Sequence, residues 1–162
     1  MGDLNRGIVV TGLVVKQFPS IKTILSVADG NLILAKELCK LYKVIVYDPN
    51  IRNNNKALKR KIKVIGKPFS ADTEVKCDLI IGLHPDGATK EIVGFALRTD
   101  TPAVIVPCCN DKEWVTKELN RAGYVKFLKT KFVEKGWRTV VVRVSMGGAN
   151  IAIVAKPKEK YV

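Results

Sequence analysis

Ile24-Leu25-Ser26-Val27-Ala28-Asp29-Gly30-Asn31, then Leu34-Ala35-Lys36-Glu37-Leu38, then Val44-Ile45-Val46-Tyr47-Asp48-Pro49, is the stretch whose reading decides the fold. Two short runs rich in β-branched residues enclose a segment whose apolar positions recur at helical spacing. Thr23–Val27 reads as a strand. Residues 32–41 read as a helix with positions 34, 35, 38 and 41 on one face. Lys43–Tyr47 reads as a second strand, closed by the turn signal Asp48-Pro49-Asn50. A strand, a helix and a strand in such close succession imply a parallel pair joined by a right-handed crossover.

The alternation continues toward the C-terminus. Residues 53–61 read as a short basic helix, and Ile62–Ile65 as a third strand. Residues 78–83 make a fourth strand and residues 89–98 a helix with apolar positions 92, 93, 96 and 97. Ala103–Val106 is a fifth strand, ending at Pro107. Asp111 is placed to cap a helix running to about Arg121, with Gly123 as its C-cap. Residues 125–138 read as a loop or an extension of that helix. Residues 139–144 and 150–155 are β-rich and flank Met146-Gly147-Gly148-Ala149, which reads as a hairpin. Strands this continuously apolar suit a sheet covered by helices on both faces. The expectation is a single domain over residues 1–162. Within it, residues 1–22 are an N-terminal segment, 23–109 a ligand-binding core and 139–157 the terminal hairpin.

Open parallel sheets bind ligands at the carboxyl ends of their strands, so the residues just after each strand are the candidates for chemistry. After the first strand, a glycine-containing turn leads into a helix N-terminus, where backbone N–H groups can face a ligand. After the second strand comes Asp48, about twenty residues on, where a carboxylate can accept hydrogen bonds from ribose hydroxyls. An ordinary strand-to-helix turn followed by a turn aspartate would read the same way. After the fourth strand comes Gly82-Leu83-His84-Pro85-Asp86-Gly87-Ala88-Thr89, and after the fifth Val106-Pro107-Cys108-Cys109. His84, the single histidine, can orient a substrate or accept a proton near neutral pH, or simply hold its loop by hydrogen bonds. Asp86 can bond a nucleophile, or serve as a turn residue in Pro-Asp-Gly.

The segment from Ile24 to Asn31 with Val44 to Pro49 resembles motifs I and II of the class I S-adenosylmethionine-dependent methyltransferases. The likeness extends over residues 23–109 and, through the hairpin, most of the chain. The family usually carries an acidic residue where Ser26 stands, and glycine where Ala28 and Leu32 stand. The Leu-His-Pro-Asp-Gly stretch with the later Pro-Cys-Cys is similar to a subgroup that includes tRNA methyltransferases. The resemblance implies a three-layer Rossmann-like methyltransferase fold: a mostly parallel seven-stranded sheet with a C-terminal antiparallel hairpin. It implies S-adenosylmethionine as cofactor, held by Ser26, Ala28, Asp29, Gly30, Asn31, Asp48, Pro49 and Phe69. His84, Pro85 and Asp86 would face the acceptor. Phe69, after the third strand, lies where the family contacts adenine, although a core role would also explain it.

Charge points to a polyanionic partner. Lys plus Arg is 28 against 15 acidic residues, a net +13. Arg52, Lys56, Lys59, Arg60 and Lys61 form the densest run and are the candidates for holding nucleic-acid phosphates, RNA foremost. A basic surface without a specific partner, and an anionic membrane surface, are the alternatives. Aromatic residues are 7% and do not interleave with the basic run, so no stacking platform for single strands is evident.

The cysteines, Cys39, Cys77, Cys108 and Cys109, form no CxxC, so free thiols and a cytoplasmic setting are expected. Their spacing with His84 matches no zinc pattern, and no metal is expected. The apolar run at residues 8–15 is too short to span a bilayer. Two rival functions stay open: a catalytically inactive methyltransferase-like protein acting as an RNA-binding module or scaffold, and an enzyme using another nucleotide such as NAD. The terminal hairpin and the lone Gly30 argue against NAD.

Overall fold

The computed structural model describes residues 5–51, 61–108, 114–115 and 117–159. Seven strands form one sheet: β1 (Thr23–Val27), β2 (Lys43–Tyr47), β3 (Ile62–Ile65), β4 (Leu79–Leu83), β5 (Ala103–Val106), β6 (Arg138–Arg143) and β7 (Ile151–Lys156). Their order is β3-β2-β1-β4-β5-β7-β6. The first five run parallel, and β7 is antiparallel to both β5 and β6. The chain winds outward from β1 in one direction and from β4 in the other, so the order reverses between these two strands. That reversal opens a crevice above their carboxyl ends.

The alternation of side chains along each strand builds two cores. Ile24, Val44, Ile81, Val104 and Val154 point to one face, where they meet α1 (Asn5–Gln17) and α2 (Ile33–Leu38). Leu25, Ile80, Ile105 and Ile153 point to the other, against α3 (Thr89–Thr99) and α4 (Arg121–Val133). The register keeps partners on one face: Ile24 lies beside Leu79, and Ile80 beside Ala103. This is the three-layer arrangement expected from the continuous apolar strands. Packing of α1 against α2 depends on Gly7, because a Cβ there would lie 2.6 Å from the Ile33 carbonyl oxygen.

The sequence reading needs correction in three places. Residues 5–17, read only as an apolar run in an N-terminal segment, form α1 and bury Val10, Leu13 and Val14. Helix α2 ends at Leu38 instead of reaching residue 41, and Leu41 is exposed instead of lying on the buried face. The helix expected to end near Arg121 begins there. Asn120 is its N-cap, accepting a hydrogen bond from the Gly123 N–H at 2.8 Å, so Gly123 sits in the first turn and caps no C-terminus. The described residues between 114 and 120 are not helical. Asp111 and residues 53–60 lie outside the described residues. Among the described residues, no helix is long and apolar enough to cross a membrane.

Candidate functional site

The carboxyl ends of β1, β2 and β4 border a cleft of about 580 Å³, within the usual range for a small-molecule site. Ala28, Gly30 and Asn31 line it after β1. Tyr47, Asp48, Pro49 and Asn50 line it at the end of β2, Phe69 after β3, and Pro85 and Asp86 after β4. Six of the eight residues assigned to the cofactor therefore share one cavity, joined by two of the three assigned to the acceptor.

The turn after β1 has an unusual backbone. Ala28 (φ 61°) and Leu32 (φ 55°) are both left-handed, a conformation that costs a non-glycine residue roughly 1–2 kcal/mol. These are the two positions where the resembled family carries glycine, so the glycine-type turn persists without its glycines. Two contacts hold Ala28 and Leu32 in place. Ala28 N–H donates to the Tyr47 carbonyl at 2.9 Å, and the Leu32 side chain is buried in the core beneath α2.

Ser26 and Asp29 lie behind the cleft wall. The Asp29 carboxylate accepts from the Ala35 N–H at 2.7 Å, supplying the N-terminal acceptor that α2 lacks at Leu32. Ser26 is buried, with its hydroxyl 3.5 Å from the same carboxylate. Burial pushes the Asp29 pKa up, and the nearby Asp48 charge adds to this; hydrogen bonds from Ala35, Leu34 and Ser26 oppose it. Asp48 is itself buried. Its Oδ1 accepts from the Asn50 N–H at 2.7 Å. Its Oδ2 faces Gly30, where a Cβ would come within 3.4 Å. Phe69 has both roles considered for it: it lines the cleft, and it packs edge-on against Tyr47 and Phe95, each 5.4 Å away between centroids.

His84 is turned to a structural task. Its Nε2 lies 2.9 Å from the Ala149 carbonyl, to which it donates, and its Nδ1 lies 3.2 Å from Arg6 Nη1, from which it accepts. The ring thus ties the end of β4 to α1 and to the hairpin turn. Asp86 faces the cleft, and its Oδ1 accepts from the Cys108 thiol at 3.1 Å. His84 (φ 51°) and Asp86 (φ 47°) are also left-handed, so both turns bordering the crevice carry backbone strain.

Of the five phosphate-holding candidates, Lys61 falls among the described residues, and it does not line this cleft. Arg52, Lys56, Lys59 and Arg60 lie outside the described residues. Lys61 stands at the opposite end of the strands, with Lys22, Lys43 and Lys63 around a groove of about 820 Å³. That groove is larger, but it lies away from the switch point and gathers no carboxylate or glycine turn. Cys77 is partly buried, and burial with the adjacent Asp78 pushes its thiol up to about 12, so it stays protonated. Among the described residues, no group of three metal-binding side chains comes together.

Sequence reasoning missed Tyr47, Asn50 and Glu91 as cleft residues, and Arg6 as the partner of His84. Tyr47 and Asn50 flank Asp48 and could have been found by extending the strand-end rule by a residue each way. Arg6 is 78 positions from His84 and carried no local signal.

No family model matches the chain, and no curated protein matches it in sequence. Solved structures match it closely in shape. DesVI of Streptomyces venezuelae aligns over 96% of this chain and 92% of its own, with a TM-score of 0.66 and 11% identity. SAM-bound CalS10 from Micromonospora echinaspora, an amino pentose methyltransferase of calicheamicin biosynthesis, aligns over 95% and 91%, with a TM-score of 0.65 and 10% identity. The methyltransferase domain of bacterial CtHen1 aligns over 96% and 100%, with a TM-score of 0.65 and 10% identity. At such identities the likeness is one of fold: the chain has the Rossmann-like fold of S-adenosylmethionine-dependent methyltransferases.

Proposed function

We propose that the protein binds S-adenosylmethionine in the cleft above β1, β2 and β4 and transfers its methyl group to RNA. The observation that carries this reading is the left-handed turn at Ala28 and Leu32, which keeps Gly30 against the Asp48 carboxylate. The donor set fits the cofactor. Backbone groups of Ala28, Gly30 and Asn31 would hold the methionine part, and Asp48 Oδ2 would accept from the ribose. Pro49 flanks the ribose, and Phe69 and Tyr47 offer apolar surface to the adenine. When bound, the cofactor supplies an already activated methyl group, so the protein's task is alignment and electrostatics. Pro85 and Asp86 would shape the acceptor side, with Asp86 able to accept a hydrogen bond from an incoming nucleophile. Ser26 and Asp29 act from behind, holding the turn, and His84 is a positioning residue.

The net charge of +13 and the exposed Lys126, Lys129, Lys135 and Arg138 support a polyanionic substrate. Calorimetric titration with S-adenosylmethionine and its demethylated product tests the reading. Micromolar binding, weakened at least ~10-fold by Asp48→Ala, is expected, since a charge-assisted hydrogen bond is worth about 1.5–3 kcal/mol. No heat and no thermal shift at millimolar ligand would overturn it.

One observation favours a second reading, a catalytically inactive RNA-binding or scaffold protein. Both ring nitrogens of His84 are engaged within the protein. Retained RNA binding without cofactor binding would select that reading.

A further inference from the structure

Two guanidinium groups from distant parts of the chain meet at one residue of the hairpin turn. Arg121, at the first position of α4, donates from Nη1 to the Gly148 carbonyl at 3.3 Å. Arg6, in the first turn of α1, lies on the same residue: a Cβ on Gly148 would stand 3.5 Å from Arg6 Nη2. Gly148 is left-handed (φ 73°) and has no side chain to cover the spot. This turn joins β6 to β7 at the end of the sheet where β4 and β5 finish. It touches His84 through Ala149, one residue from the cleft wall at Pro85.

Neither arginine has a carboxylate partner among the described residues. Asp86, two residues after His84, accepts from Cys108. Arg6 is only partly exposed, and its Nε is buried with no hydrogen-bond partner. A guanidinium does not shed its proton, so a half-buried one without a counter-charge is left costly until an anion meets it. Its planar fork matches the oxygens of a phosphate.

We infer that Arg6 and Arg121, converging on Gly148, form a clamp for a phosphate group of the substrate beside the cleft. The inference builds on the proposed function by adding a phosphate to the acceptor. That phosphate can come from an RNA backbone or from a phosphorylated small molecule, which the test separates.

The full-length protein, Arg121→Ala, Arg6→Lys with Arg121→Ala, and Arg6→Ala with Arg121→Ala are titrated with a short fluorescent single-stranded RNA and with inorganic pyrophosphate. A Lys16→Ala, Lys76→Ala double variant removes the same charge from exposed sites elsewhere. Thermal melting checks folding, and the Arg6→Lys pair keeps the Arg6 charge if the alanine pair fails to fold. The expected result is a loss of ~10-fold or more for the arginine pair, beyond that of the lysine pair. Loss on RNA identifies a nucleic-acid phosphate; loss on pyrophosphate alone identifies a phosphorylated small molecule. Affinities for both probes within about twofold of the lysine pair would overturn the clamp. S-adenosylmethionine heats measured on the same samples report on the cofactor reading separately, because the arginines do not line its cleft.

Discussion

The two halves of the sheet end differently. Above β1 and β2, polar groups border a cavity, and Asp48, which lines it, sets its Oδ2 beside Gly30. Above β4, β5 and the hairpin, the His84 ring is spent on contacts within the protein, to Arg6 and to Ala149. The same end of the same fold thus holds an open cleft and, beside it at His84, a side chain committed to contacts within the protein. Residues that look alike in sequence, a polar side chain just past an apolar strand, divide into cleft-lining and structural ones according to what other elements bring near them.

The widest separation of the halves should come from deleting one polar group on each side. His84→Ala removes two hydrogen bonds that join three elements and leaves the Ala149 carbonyl without this donor. It should lower unfolding free energy by about 2–3 kcal/mol. Asp48→Ala removes one turn hydrogen bond and a buried charge, and without ligand should cost under ~1 kcal/mol. Chemical denaturation of both variants gives the comparison directly; the reverse order would dissolve it.

A smaller effect concerns the strained turn. Ala28→Gly relieves a left-handed alanine but gives the unfolded chain more freedom, for a net gain of about 0.5 kcal/mol. Cofactor affinity should be kept. A destabilisation above ~1 kcal/mol would mean that the alanine methyl, not the turn, is what matters there.

Two aspartates at opposite ends of β1 should respond to pH with opposite sign. Asp29 is raised, chiefly by burial, so the folded protein holds its proton to higher pH than the unfolded chain. Its contribution is present at low pH and is lost as pH rises through the raised folded value. Asp78 is lowered by hydrogen bonds from the Thr23 and Lys22 N–H groups, at 2.9 and 2.8 Å. Its contribution is present above the unfolded value near 4 and is lost as pH falls through the folded one. Asp29→Asn should therefore flatten the decline that begins near the unfolded value of about 4 and runs up to the raised folded one. Asp78→Asn should flatten the decline on the acid side. Melting curves across pH read both slopes, and equal slopes for variant and parent would refute either assignment. The smallest effect is kinetic: Cys77, with its thiol pushed up to about 12, should react more slowly with a thiol reagent at neutral pH than the unfolded chain does.

These contrasts explain what was legible in the sequence. Strands β1, β2, β3 and β5 were read to the residue, because each is a short β-rich run stopped by a polar or proline turn. The hairpin followed from Gly147-Gly148 between two such runs. Helix α4 was misread because its only glycine lies in the first turn, where a cap signal at Asn120 competes with a stop signal at Gly123. Helix α1 was missed because Thr11 and Gly12 interrupt its apolar run and Gly7, required by the close approach of α2, stands just before it. In the site, Ala28, Gly30, Asn31, Asp48 and Pro49 were legible because position after a strand suffices to put a residue at the crevice. Direction was not legible. Asp29 turns back to its own helix, and His84 is claimed by Arg6 and Ala149, partners 78 and 65 positions away.

Amide chemical-shift mapping of the full chain with S-adenosylhomocysteine tests the central claim most directly. The account predicts saturable shifts at Ala28, Gly30, Asn31, Asp48, Asn50 and Phe69, with little change at Lys22, Lys43 and Lys63 in the groove at the opposite strand ends. An unperturbed spectrum, or shifts gathered in that groove, would contradict it.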